Sequence, residues 1–252
     1  MGVLAGRAAV VLVRTQGPVN LGMVARVCAN TGCDDLRLVA PLCSVEDGEA
    51  RKFAVGARHQ LADLPQHADL ASAVADRTLV VGTSARPRDA DHGAALGLED
   101  LGRLLASRPA DRVALVFGNE ADGLDGAELG RCQYWLHLDT PGELTSYNLS
   151  HAVAIVLHRL ATWDAPPAPV LPPAQPLAER ERVERLRRFA LDLLEQAGYF
   201  RRTTRSRWEP NFADMLNRLP LTVREVDLLF GMLAHAEGKA RGRRRTRTHP
   251  PT

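Results

Sequence analysis

Residues 139–160 read DTPGELTSYNLSHAVAIVLHRL: a Pro-Gly loop that turns into an apolar helix. Pro141 and Gly142 favour a turn and let the backbone approach a neighbour closely. Leu149, Val153, Val156, Leu157 and Leu160 recur at spacings of three and four, which buries one helix face. At the join stand Thr145, Ser146, Asn148 and Ser150. The first helical turn presents free backbone N–H groups there, next to the hydroxyls of Thr145 and Ser146. Taken alone, Ser146 or Asn148 is explained equally well as a helix cap.

Working outward, the first two-thirds of the chain alternates β-branched runs with helical patterns. Strands are expected at 9–13 (AVVLV), 36–39, 78–81, 113–117 and 134–138, and helices around 21–31, 70–75, 98–106 and 125–132. Near-continuous apolar strands separated by helices indicate an α/β domain with a mostly parallel sheet covered on both faces. Residues 163–176, WDAPPAPVLPPAQP, hold six prolines in fourteen positions. Such a segment forms neither helix nor central strand and reads as an extended linker. Beyond it, helices are expected at 178–197, at 211–219 and after Pro220, where Thr222 and Glu225 have capping-box spacing. The chain thus divides into an α/β domain (1–162), a linker (163–176), a basic helical domain (177–238) and a basic tail (239–252) expected to be disordered.

The formal net charge of +2 conceals an asymmetry. Residues 1–176 hold 15 Lys/Arg against 20 Asp/Glu, and residues 177–252 hold 17 against 10. An acidic body with a basic arm points to a polyanionic partner, for which Arg201, Arg202, Arg205 and Arg207 beside Trp208 are candidates; a small core is the other explanation of Trp208. The four cysteines show no C-x-x-C pair and no matching His spacing, so no metal site is expected. The apolar run at 8–13 is closed by Arg14 and no run approaches a membrane span. A cytoplasmic protein with reduced thiols and no membrane contact is the expectation.

Four strand ends are followed by loops rich in Gly or small polar residues: 14–20 (RTQGPVN), 82–86 (GTSAR), 118–123 (GNEADG) and 139–148. Ligands of open α/β sheets bind off the carboxyl ends of strands, so these loops form the candidate site. Neither G-x-G-x-x-G nor a Walker loop occurs, which removes the basis for a nicotinamide oxidoreductase or a nucleotide triphosphatase. Singly, Asn20 is a plausible N-cap, Arg26 a solvated helix residue and Glu120 a surface charge.

Together the motifs resemble a known family. P-x-N-x-G-x-x-A-R at 18–26, LVFGNEADGL at 115–124 and SYNLSHAVAI at 146–155 match, in order and spacing, the SPOUT (SpoU-type) RNA ribose 2′-O-methyltransferases. GTSAR and the basic helical region are most similar to the branch that methylates nucleotide 32 (cytidine or uridine) of the tRNA anticodon loop (TrmJ type). The resemblance implies a deep trefoil knot in the C-terminal part of the α/β domain, threaded by the Gly118 and Thr145 segments, and a homodimer whose active site is completed across the interface. It implies S-adenosylmethionine as methyl donor, released as S-adenosylhomocysteine. The donor would be held by Thr83, Ser84, Ala85, Gly118, Asn119, Leu138, Thr145, Ser146 and Tyr147. Arg26, Asn20, Glu120, Ser146 and Asn148 would serve the reaction, with Glu120 fixing the knot loop and Arg26. Methyl transfer from a sulfonium needs in-line positioning of the ribose hydroxyl and a group to stabilise the developing oxyanion. A guanidinium has no acceptor and is a poor base, so an electrostatic clamp suits Arg26 better. Two positions depart from the branch: Asn119 stands where Arg is commoner, and Tyr147 where Leu is. A ribosomal RNA ribose methyltransferase and a catalytically silent knotted RNA-binding protein are the alternatives; the silent protein conflicts with intact Asn20, Arg26, Glu120, Ser146 and Asn148.

Overall fold

The computed structural model describes residues 4, 6–85, 94–163, 175–201 and 204–246, with backbone alone at 94, 201 and 239–246. Its centre is a seven-stranded sheet in which every strand pair is parallel, ordered β3-β2-β1-β6-β4-β7-β5. The strands are β1 (Ala8–Val13), β2 (Asp35–Val39), β3 (Gln66–His67), β4 (Leu79–Thr83), β5 (Ala94–Leu96), β6 (Val113–Phe117) and β7 (Tyr134–Leu136). Residues of β1 and β6 are buried without alternation, as strands covered on both faces must be. The two faces feed two apolar clusters, one around Leu12, Leu115 and Leu157 and one around Val11, Val80 and Val116.

Helices α1 (Pro18–Thr31), α2 (Gly48–Ala54), α3 (Leu70–Ala73), α4 (Leu98–Ser107), α5 (Gly126–Leu129) and α6 (Leu149–Ala161) accompany the sheet. The apolar stripe of α6 is buried as its spacing requires. Within α1, Gly22 permits contact with α2, because a Cβ there would stand 2.3 Å from the Ala50 carbonyl oxygen. That glycine of the first motif therefore serves helix packing.

Differences from the sequence expectation have physical causes. The two-residue β3 and three-residue β5 are too short for an apolar pattern, and the seven-residue α2 buries only two alanines, Ala50 and Ala54. Trp163, expected in the linker, is buried against Gly102 of α4, and the Arg159 guanidinium lies 4.4 Å from its ring centroid. Burying that large apolar surface fixes Trp163 against the helix. Residues 164–174 of the expected linker lie outside the described residues.

Helices α7 (Arg180–Gln196), α8 (Arg205–Arg218) and α9 (Val223–Thr246) pack around Val183, Leu186, Leu216 and Val226. The capping box at α9 forms: the Glu225 N–H donates to Thr222 Oγ1 at 3.2 Å and the Thr222 N–H to Glu225 Oε2 at 2.8 Å. Helix α8 begins before Pro210 rather than after it. Its first turn is held by Arg205 to Asp192 (2.9 Å) and Glu195 (2.5 Å), and by Trp208 among Tyr199, Phe200 and Phe212. Contrary to the expected disordered tail, α9 continues through Thr246; its Ala, Lys and Arg residues propagate a nucleated helix readily. Residues 247–252 are outside the described set.

The start of α7 docks at the amino ends of the strands. The Leu177 N–H meets Asp111 Oδ1 at 3.4 Å, and the Arg180 and Glu181 N–H groups donate to the carbonyls of Arg77 (2.9 Å) and Ala75 (3.0 Å). Arg112 pairs with Glu179, and Arg180, buried, donates to Asn217 Oδ1 at 2.9 Å. Burial lowers the Arg180 guanidinium to about 10. Beneath this junction Arg37 and Arg77 bridge Asp35 and Asp76; the two guanidinium groups outweigh burial and hold the Asp76 carboxyl well below its usual range.

Candidate active site

At the opposite, carboxyl ends of the strands lies a cavity of about 650 Å³. Three segments build it: the end of β4 (Thr83, Ser84, Ala85), the loop after β6 (117–124), and the stretch from Leu136 to the first turns of α6. The β4 end is fixed by the Thr83 hydroxyl donating to the Val116 carbonyl (3.1 Å) and by the Ser84 N–H donating to the Leu136 carbonyl (3.1 Å). The loop after β6 folds back on itself. A Cβ at Gly118 would stand 2.1 Å from the carbonyl carbon of Gly123, which itself has φ +72°. Only glycine allows that closure. Asn119 Oδ1 accepts from the N–H groups of Ala121 (2.9 Å) and Asp122 (2.7 Å), so this side chain is committed to shaping the loop.

All nine residues expected to hold the donor line this cavity, and so do Glu120, Ser146 and Asn148. Tyr147 reaches over the loop, its hydroxyl donating to the Asp139 carbonyl at 3.3 Å. The rest of the loop 117–124, with Leu136, Leu149 and Ala152, completes the wall. Their position follows from contiguity with the motifs, the one signal by which the sequence could have shown them.

A chain of side-chain hydrogen bonds crosses from the cavity to α1 and α6. Glu120 accepts from the Gln16 N–H (3.0 Å), the Gly17 N–H (3.1 Å) and Asn20 Nδ2 (2.8 Å). Asn20 Oδ1 accepts from Asn148 Nδ2 (3.0 Å). Asn148 Oδ1 in turn accepts from the Ser150 N–H (2.9 Å) and hydroxyl (2.8 Å). Asn148 is thus the N-cap of α6 and a partner of Asn20 at once. Asn20 is not a cap: the N-cap of α1 is Gly17, with Pro18 at the first helical position and Asn20 in the first turn. Glu120 supplies from another element the acceptor that Gly17 lacks, at the positive end of the helix. Burial works against its charge, but the bonds from Asn20, Gln16 and Gly17 prevail and hold the carboxyl below its usual range.

Arg26 lies elsewhere. It is exposed on α1, makes no ion pair with the described residues, and lines a second groove of about 570 Å³ with Met23, Lys52, Phe53, Ser150 and His151. The expected contact of Glu120 with Arg26 does not form, because three donors from residues 16–20 occupy the carboxylate. Ser150 lines that groove and Asn148 lines the cavity, so the relay joins the two.

Among the described residues, Glu120 and Asp122 are the only charged side chains lining the cavity. Its wall is otherwise backbone-rich loop and aliphatic surface. The cavity suits a small cationic molecule with an apolar body and is unsuited to a pyrophosphate. No group of His, Cys, Asp or Glu among the described residues is placed to hold a metal ion.

Residues 7–158 match the SpoU rRNA Methylase family. The chain belongs to that family. Relatives extend the match beyond the matched segment. The chain is 32% identical over 244 residues to the tRNA (cytidine/uridine-2′-O-)-methyltransferase TrmJ of Klebsiella pneumoniae, covering 93% of this chain and 98% of that protein. To the enzyme of the same name from Yersinia enterocolitica it is 32% identical, covering 90% of each. The crystal structure of TrmJ from Z. mobilis ZM4 superposes with a TM-score of 0.78 at 27% identity, across 91% of this chain and 99% of the other. The superposed span takes in helices after the sheet, so the SpoU methylase here shares the overall arrangement of that structure. No helix among the described residues is long and apolar enough to cross a membrane.

Proposed function

We propose that this SpoU methylase transfers a methyl group to a ribose 2′-hydroxyl of tRNA, at nucleotide 32 of the anticodon loop. The observation that carries the reading is the joining of the three family motifs into one site, where the Glu120–Asn20–Asn148–Ser150 relay links the strand-end cavity to the groove of Arg26. The substrate rests on the tRNA methyltransferase relatives, whose similarity runs through the C-terminal helices.

S-adenosylmethionine is proposed to occupy the cavity, which fits it in size, in its mixed wall and in the sign of its lining charges. When bound, that group supplies a methyl on a positively charged sulfur. The chain's residues do the rest. Thr83, Ser84 and Ala85 with Leu138 form one wall, while Gly118, Asn119, Thr145, Ser146 and Tyr147 form the other. Glu120 and Asn20 fix the amino end of α1, and Asn148 fixes that of α6. Arg26, one to two turns further along α1, is left free to bind an RNA phosphate and the developing alkoxide. Holding the hydroxyl in line supplies roughly 7–11 kcal/mol of such a barrier.

The arrangement proposed further is a homodimer, with the Arg26 groove meeting the partner's cavity, and a trefoil knot formed by the Gly118 and Thr145 segments. Residues 1–162 and 177–238 act as catalytic and RNA-binding domains in the cytoplasm. Of the basic residues proposed for RNA, Arg205 is engaged by Asp192 and Glu195 and Trp208 by its aromatic neighbours, leaving exposed Arg207 as the described side chain available. Arg86 and Arg202 lie outside the described residues, as does the side chain of Arg201.

The test is incubation of the protein and S-adenosylmethionine with total tRNA and, separately, ribosomal RNA, followed by mass-spectrometric mapping of 2′-O-methyl groups. One new methyl at nucleotide 32 of tRNA is expected. Methylation confined to ribosomal RNA would overturn the substrate, and absence of donor binding would overturn the reaction.

A further inference from the structure

Arg14, the residue that ends β1, belongs to none of the matching motifs. It nevertheless adopts φ +51°, a left-handed conformation that an Arg occupies only at a cost. Its backbone is pinned there by its N–H, which donates to the Val39 carbonyl at 2.8 Å. The side chain then crosses to the loop after β6. Arg14 Nη2 donates to the Gly123 carbonyl at 3.1 Å, and Nη1 pairs with Glu128 and lies 3.7 Å from Asp125.

Asp125 and Glu128 form the capping box of α5, each side chain accepting the other's N–H at 2.8 Å. The loop 118–124 therefore runs between two fixed ends: β6 on one side and a helix start clamped by Arg14 on the other. Every residue of that loop lines the cavity. From the other side of the same segment, Gln16 and Gly17 hold Glu120.

We propose that Arg14 is a positioning residue for methyl-donor binding, fixing the loop 118–124 through the Gly123 carbonyl and the α5 cap. The inference rests on the reading of the cavity as the S-adenosylmethionine site. Arg serves better than Lys because one planar guanidinium reaches the carbonyl and the carboxylate together, which a single ammonium does not.

The test compares wild type, Arg14→Ala and Arg14→Lys by calorimetric titration with S-adenosylmethionine and by amide hydrogen exchange without it. Arg14→Ala is expected to weaken binding about tenfold, a loss of about 1.4 kcal/mol. It should raise exchange in 118–124 while leaving 113–117 protected, and Arg14→Lys should fall between. Unchanged exchange in 118–124, or unchanged affinity beside faster exchange, overturns the proposal whatever happens to the melting temperature. If wild type itself binds no S-adenosylmethionine, the reading of the cavity fails; exchange in 118–124 still decides whether Arg14 holds the loop, and an unprotected loop in wild type overturns that too.

Discussion

At the level of single residues, Arg26 and Glu120 divide the work. Arg26 carries no partner among the described residues, so its charge is available to a ligand, whereas Glu120 already accepts from three donors. Arg26→Ala should therefore lower methyl transfer by about 100-fold or more while leaving S-adenosylmethionine affinity nearly unchanged, as loss of a transition-state donor does. Steady-state rates beside a binding titration check this. Glu120→Gln should act on the fold of the site instead. Because the folded protein holds this carboxyl below its ordinary value, its contribution is present at pH above about 4.5 and fades as pH falls through the folded value. Urea midpoints of the two proteins should differ at pH 7 and converge as the pH falls below that folded value. The cavity loops were legible as small and polar segments at strand ends; the roles of single residues there, which taken alone also read as caps or surface charges, rested on the resemblance of three motifs in order and spacing. The distance of Arg26 from Glu120 was not legible, since a spacing of residues along α1 does not say which wall each one faces.

Among the elements, α1 carries the tightest constraint. Gly22→Ala would drive a methyl group against the Ala50 carbonyl, and backbone of a packed helix cannot yield cheaply. A loss of about 1–3 kcal/mol, the usual cost of overpacking, is expected and would be read by thermal or urea unfolding. The strands β1, β2, β4, β6 and β7 were legible as apolar runs because both their faces are covered. Strands β3 and β5 were hidden by length: two or three residues cannot display a period. The start of α8 was hidden by Pro210, whose penalty is local, whereas the ion pairs and the Tyr199–Trp208 ring contact that offset it join residues nine to thirteen positions apart.

For the whole molecule, the cavity and the C-terminal helices sit at opposite ends of the strands, one at residues 83–85, 117–124 and 136–149, the other at 75–78 and 111–112. Loosening one end should spare the other. Asp111→Ala removes the acceptor of the Leu177 N–H and one of the two acceptors of the Thr78 hydroxyl, at a cost of about 1–3 kcal/mol. It should weaken tRNA binding while S-adenosylmethionine affinity stays within about twofold, a difference below ~0.5 kcal/mol. Titrations with each ligand decide. The charge asymmetry made a basic arm legible, but not its anchorage, which depends on backbone groups that every sequence possesses. The helix α1 has a last consequence, for how such a protein can diversify. It gives Asn20 to one cavity, Gly22 to its neighbour helix and Arg26 to the other cavity within three turns, so a change in its seating is felt at all three places together. Loops carry no such shared duty. Asn119 and Tyr147, where the sequence departs from the branch it resembles, both fall on loops of the cavity wall; Asn119 holds only its own loop and Tyr147 bonds the Asp139 carbonyl. A substitution at the rim thus reshapes one wall, while one that shifts α1 reaches both cavities and α2 at once.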